Sequence, residues 1–175
     1  MRIVALIVAL ALAVLIGVAA QSAEDNSPHM TPVGSSRTVS CSEVIMNVKF
    51  PYGNGYRLVL GVVSAPAGYH RQVVPTGNPA WPYQRKAGLV VTGRAPVSVS
   101  VPRAWRSRVA ISWGNRPGFY SSLRIAGCPS PQGAPKGRAY AGSFRLKSPS
   151  ACVPLIFRVA QRSATVRFGL GRACR

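Results

Sequence analysis

Glycine, proline and asparagine interrupt this chain at short intervals, and the runs between them alternate too strictly for helices. "PYGNG" (51–55), "PTGNPAWP" (75–82), "GNRPG" (114–118) and "PSPQGAPKG" (129–137) are turn signals with backbone causes. Gly supplies positive φ, Pro presets φ, and Asn caps its own turn. Candidate strands fall between these breakers at 38–48, 55–63, 86–92, 97–101, 108–113, 121–127, 140–147, 153–159 and 164–170. "PRAWRSR" (102–108) is the one segment that suits a helical turn or a corner. The pattern predicts an all-β domain, a single antiparallel β-sandwich (Ig-like or jelly-roll-like) of about 8–9 short strands.

The last hairpin is the most constrained piece. A turn at Gln161-Arg162 pairs Val159 with Ala164, Phe157 with Val166, Leu155 with Phe168 and Val153 with Leu170. All four pairs are apolar on one face, while Arg158 and Arg167 take the other. A one-residue slip would turn the apolar set outward.

The start of the chain has a different character. Met1-Arg2 precedes an apolar run from Ile3 to Ala20 that ends in small residues. Residues 1–20 therefore suit a secretory signal peptide cut after Ala20; left uncut, the run approaches the length of a membrane anchor. Residues 21–36 are polar and rich in Ser, a flexible linker. Residues 37–175 then form a disulfide-stapled domain, secreted and extracellular or cell-wall associated.

Cys41, Cys128, Cys152 and Cys174 are an even set in an exported chain, which implies disulfides and allows three connectivities. Running the strands up and down brings Cys174 back to the edge where Cys152 begins its hairpin. That favours Cys152–Cys174 and leaves Cys41–Cys128. Continuing the ladder would put Cys174 on the opposite face from Cys152, so the tail must bend or bulge at Gly171. No close ligand spacing supports a zinc site, and no metal or cofactor is expected.

Charge narrows the chemistry. The chain carries 22 Lys and Arg against 3 Asp and Glu, a formal charge of +19. Two of the acids, Glu24 and Asp25, lie in the linker, so Glu43 is the domain's single carboxylate side chain and His70 its single histidine. Paired carboxylates cannot be assembled, and a Ser-His-Asp triad lacks its acid unless Glu43 meets His70. Neither a serine–lysine signature nor G-x-S-x-G occurs. The expectation is a protein without catalytic activity.

Binding is what remains. Arg57, Arg124, Arg145, Lys147, Arg158 and Arg167 each sit between apolar neighbours in an expected strand and so should project from solvent faces. A surface of one sign attracts polyanions through counterion release. The expected partner is an anionic cell-wall polymer or other polyanion; no motif supports sequence-specific nucleic-acid recognition. The same composition also suits a biased genome, with charge serving solubility in a structural domain.

Loop aromatics offer a different partner. Trp81, Tyr83, Phe119 and Tyr120 could stack on sugar rings, with Asn78 and Asn115 as hydrogen-bond partners, making a carbohydrate-binding module. The same rings could equally seal the ends of a core. Trp105 and Trp113 are expected in the core. The alternation and the stretch "CVPLIFRVAQRSATVRFGLGRAC" (152–174) resemble small exported β-rich proteins of high-G+C Gram-positive-type bacteria. That resemblance implies no activity and no site.

Overall fold

The computed structural model describes residues 35–130 and 132–175. The expected signal peptide and nearly all of the expected linker lie outside the described residues. The first strand, β1 (Ser36–Val39), starts at the linker's last position. It is followed by a 3-10 turn at Cys41–Glu43, then β2 (Met46–Val48), β3 (Tyr56–Val59), β4 (Val63–Pro66) and β5 (Tyr69–His70). Next come β6 (Val74–Pro75), β7 (Tyr83–Lys86), β8 (Leu89–Val91) and β9 (Val97–Ser100). A second 3-10 turn at Arg103–Trp105 supplies the expected corner and leads to β10 (Val109–Trp113), β11 (Ser122–Ile125) and β12 (Gly137–Tyr140). The chain closes with β13 (Gly142–Leu146), β14 (Ala151–Val159) and β15 (Arg162–Leu170).

The protein is all-β, with these strands in three sheets rather than the fewer strands expected. One sheet runs β1-β11-β9-β14-β15-β5, a second β10-β13-β7-β6, and a third β2-β12-β8-β4-β3. Several of the extra strands come from expected runs that the chain interrupts or changes sheet within. The expected strand 55–63 is a hairpin: Leu60 (φ 51) and Gly61 (φ 75) turn the chain between β3 and β4. The expected strand 86–92 holds β8 and only the last residue of β7, Lys86, and 140–147 holds β13 and only the last residue of β12, Tyr140. In both cases the two strands belong to different sheets.

Pairing is antiparallel except at the two edges of the six-stranded sheet, where β1 runs parallel to β11 and β5 parallel to β15. The parallel β1–β11 pair carries Cys41 and Cys128 to the same end, and they are bonded, with Cα atoms 5.7 Å apart. Cys152 and Cys174 form the second bridge, with Cα atoms 5.1 Å apart. Both pairings match the expectation.

The inner faces of all three sheets contribute to one core. Trp113, Phe144, Phe168 and Phe157 form its aromatic spine; Phe144 of the four-stranded sheet meets Phe168 of the six-stranded sheet at 5.1 Å between centroids. Trp113 is fully buried and donates its indole N–H to the Ala87 carbonyl at 2.9 Å. Trp105 is only half-buried at the rim, with the Arg108 guanidinium 4.3 Å over its ring.

The last hairpin requires a correction. The turn is Ala160-Gln161, one residue earlier than expected, so Val159 faces Arg162, Phe157 faces Ala164, Leu155 faces Val166 and Val153 faces Phe168. Each partner moves by two positions, which preserves the faces: Val153, Leu155, Phe157, Val166 and Phe168 are buried, and Arg158 and Arg167 are exposed. This register sets the bare Gly169 opposite Cys152. The tail folds back across that glycine, where an added Cβ would lie 2.7 Å from the Arg172 carbonyl and 3.2 Å from the Cys174 nitrogen. The bend that carries Cys174 to Cys152 is therefore built from Gly169 as well as Gly171 (φ 65).

Ala160 holds φ 50 at this turn, a left-handed conformation that costs a Cβ-bearing residue about 1–2 kcal/mol. Ala160→Gly removes that strain at some cost in unfolded-chain entropy and should stabilise the domain by about 0.5–1 kcal/mol. Denaturant unfolding measures it; a loss of stability would speak against this turn.

Candidate functional site

The domain's one carboxylate is a structural group. Glu43 is 3% exposed and pairs with Arg37 of β1, whose guanidinium also donates to the carbonyls of Trp113 (3.4 Å) and Arg116 (3.3 Å). Its oxygens accept the backbone N–H groups of Ser40 and Asn115, each at 3.0 Å. Gly114 (φ 97) passes so close that a Cβ there would strike the carboxylate. Burial pushes the Glu43 carboxyl upward in pKa, but the Ser40 N–H, the Arg37 guanidinium and the Asn115 N–H outweigh it and hold it below the usual range.

This arrangement separates the two groups that acid–base chemistry would need together. Glu43 lies beside β1 and His70 lies in β5, the opposite edges of the six-stranded sheet. Burial, with Arg85 and Arg57 nearby, pushes His70 below the ordinary histidine value and favours its neutral form.

The loop aromatics are engaged within the protein. Trp81 is 6% exposed; its ring meets Phe119 at 6.4 Å and the Lys147 ammonium at 5.1 Å, and the Arg145 guanidinium lies 4.8 Å from Phe119. The Asn78 side-chain oxygen accepts the N–H groups of Ala80 (2.9 Å) and Trp81 (3.2 Å), closing its own loop. Tyr83 packs against the core, and Tyr120 donates its hydroxyl to the Pro117 carbonyl at 3.2 Å, with Arg37 over its ring at 5.7 Å. Asn115 contributes its backbone N–H to Glu43. Members of the two sets that looked like separate binding surfaces thus pack on one another: Arg145 on Phe119 and Lys147 on Trp81.

The strand cations divide into two groups. Arg57 and Arg145 are half-buried rather than solvent-facing. Arg57 shares the inward side of the edge strand β3 with Val59, its guanidinium 5.7 Å from the Phe168 ring and donating to the Arg167 carbonyl at 3.2 Å. A long side chain at a sheet edge can point inward and still reach water. Arg124, Lys147, Arg158 and Arg167 are exposed as expected. Arg124 and Arg158 flank Ser98 in one cross-strand row, with Thr38 and Ser163 at its ends. Two strand spacings put their Cα atoms about 10 Å apart.

Arg167 lies further along the same outer face and opens onto a concave region that the strand pattern did not reveal. A depression of about 490 Å³ is lined by Cys152, Arg167, Arg172, Ala173 and Arg175. Arg172 and Arg175 follow the last strand, and only the folded-back tail brings them beside Arg167. No periodicity marks them; the Gly169 and Gly171 signals were their only trace in the sequence. Arg138 was missed for another reason: it is 3% exposed on β12, donating to the Lys136 carbonyl (2.7 Å) and the Ser130 hydroxyl (2.6 Å).

All four cysteines are taken up in the two bridges, and no three His, Cys, Asp or Glu side chains gather among the described residues. No helix among these residues is long and apolar enough to cross a membrane. No protein-family model matches the chain, and no curated protein matches it.

Glu43→Gln leaves the Arg37 charge without its counter-ion at a site where the two side chains are 10% and 3% exposed, and should cost about 3–5 kcal/mol. Its pH signature is specific. Because the folded pKa is depressed, the stabilisation is fully present above the ordinary value of 4.5 and is lost as pH falls through the folded value. Unfolding free energy measured from pH 7 down to pH 2 should show this acid limb in the parent and a flattened one in the Gln variant. An unchanged limb would place the titration elsewhere.

Proposed function

We propose that this chain is an exported, non-catalytic β domain, built as a single sandwich, that binds an anionic envelope or extracellular polymer through its basic surface. One observation carries the reading: the only acidic side chain after residue 25 is withdrawn beneath Arg37, so no Asp or Glu side chain offsets the exposed arginines. A surface of one sign must recruit its counter-charges from solution, and a polyanion displaces small ions with a gain in entropy. Arg124, Arg158 and Arg167 stand on paired strands rather than on tails, so little ordering accompanies binding.

Other features support parts of this reading. Two disulfides suit an oxidising compartment. The Phe144–Phe168 contact between two sheets suits a sandwich. The polymer reading is preferred to sugar stacking on the loops because Trp81 is buried and Asn78 closes its own loop. It is preferred to catalysis because Glu43 and His70 lie at opposite sheet edges.

Affinity for an anionic polymer should fall linearly in log–log against salt, and Arg158→Gln with Arg167→Gln should reduce the slope by about 2. The melting temperature should hold within about 2 °C, since both side chains are exposed and the hairpin's apolar pairs are untouched. Fluorescence titrations across a salt series measure the slope. A salt-independent affinity, or no binding to any polyanion, would remove the reading.

A further inference from the structure

The described surface offers three candidate sites: the outer row of the six-stranded sheet, the Arg57–His70–Arg85 group, and the concave region around the Cys152–Cys174 bridge. The third goes furthest because it is concave, cationic and covalently shaped. We propose that this cleft is the seat of polymer binding. It would take one phosphate or sulfate ester of a sugar polymer against Arg167, Arg172 and Arg175, with an adjoining ring against Trp105. The inference rests on the polyanion reading and gives it a place.

Three neighbouring concavities meet at Arg172. The first, about 490 Å³, holds the three arginines, and a wider hollow of about 590 Å³ adjoins it through Arg167 and Ala173. A second, about 260 Å³, is lined by Trp105, Cys152, Pro154, Arg167 and Arg172. A third, about 200 Å³, runs past Trp105 and Arg108 to Lys147 and again includes Arg172. Arg172 therefore lines all three, and the path leads from a guanidinium cluster to an indole. No hydrogen bond or ion pair among the described residues engages the guanidinium groups of Arg167, Arg172 or Arg175. Guanidinium forks match the paired oxygens of a phosphate or sulfate ester, and the arginine-lined concavity of about 490 Å³ has the size of an ordinary small-ligand site.

The tail that carries Arg172 and Arg175 is fixed at several points. The Gly171 N–H donates to the His70 carbonyl at 2.9 Å, and the Tyr69 hydroxyl donates to the Gly171 carbonyl at 3.0 Å. At Gly171 an added Cβ would lie 2.3 Å from the Pro149 carbonyl oxygen, and the disulfide locks Cys174 three residues later. Terminal arginines would ordinarily lose most of their freedom on binding; this clamp removes part of that cost beforehand.

The occupant is a sugar polymer rather than a single-stranded nucleic acid. Bases are held on successive aromatic platforms. This cleft has one indole, already carrying Arg108 on its ring, and Trp81 is buried with Lys147 over it. A saccharide carrying one anionic ester needs no more than one ring beside the arginines.

The test titrates the full exported chain with heparin, with phosphomannan and with a charge-matched oligo-dT, at one fixed salt concentration. Arg172→Gln with Arg175→Gln should weaken both glycans about tenfold or more, and Arg94→Gln with Arg162→Gln, the same charge loss at exposed positions outside the cleft lining, under about threefold. Trp105→Ala should weaken the glycans and leave oligo-dT unchanged. Whichever of heparin and phosphomannan binds tighter identifies sulfate or phosphate as the preferred ester. Cys152→Ser with Cys174→Ser should reproduce the Arg172/Arg175 loss; should that variant fail to fold, the arginine pair alone decides. Equal losses from the two arginine pairs, or tighter binding of oligo-dT, would overturn the cleft while leaving a diffuse basic surface. Failure of all three probes to bind the parent would overturn both readings.

Discussion

A buried carboxylate normally has to be explained by what it does for a site; Glu43 is explained by what it joins. The β1 strand, the 3-10 turn that carries Cys41, and the Gly114-Asn115 turn after β10 meet at its two oxygens. Two of these contacts are ordinary backbone hydrogen bonds and the third is an ion pair, and all converge on one side chain 3% exposed. Truncating it would leave Arg37 charged, largely desolvated and unpaired. The adjacent bridge to Cys128 pins the same corner covalently, so the sheet edge on that side is fixed twice.

With its single acid committed there, the domain manages the other cations by different means. Among the described residues five cations lie over aromatic rings: Arg37 on Tyr120, Arg57 on Phe168, Arg108 on Trp105, Arg145 on Phe119 and Lys147 on Trp81. Backbone carbonyls take several of the rest, as at Arg85, Arg106 and Arg138. Ring faces and carbonyl oxygens carry partial negative charge without a titratable proton, so they moderate the interior and half-buried cations without neutralising the surface. The surface is left basic by construction. Arg124 and Arg158 stand among Ser and Thr on the outer sheet face, and Arg167 lies further along it opposite Pro154.

Much of this was legible in the sequence, and the parts that were not have identifiable causes. The all-β class followed from turn residues at fixed places, and the two disulfides from strand direction. The hairpin faces survived a wrong turn position because the error moved each partner by two residues, and side-chain direction repeats every two. The strands are more numerous than expected, because the chain turns at Leu60-Gly61 inside one expected run and changes sheets at Ala141 inside another. Arg57 shows the limit of reading a face from alternation: Leu58, its apolar neighbour, is 53% exposed, and the edge position lets the arginine take the inner side. Arg172 and Arg175 lay beyond any periodic pattern, since only the register that sets Gly169 against Cys152 folds the tail over it.

Like charge displayed on a small domain works against the compact state, because unfolding separates the charges. The covalent bridges act on the other side of that balance. In the chain-entropy model, loops of 87 and 22 residues remove about 4–5 and about 3 kcal/mol of freedom from the unfolded chain. Their positions matter as much as their size. One lies at the parallel β1 edge of the six-stranded sheet and the other where the tail follows β15, beside the parallel β5 edge. Those two edge strands are only four and two residues long, the short edges that resist pairing with another chain. A sheet tied near both edges holds its outer arginines at fixed spacings despite their repulsion. It is this rigidity, more than the number of charges, that would let such a surface distinguish one anionic polymer from another.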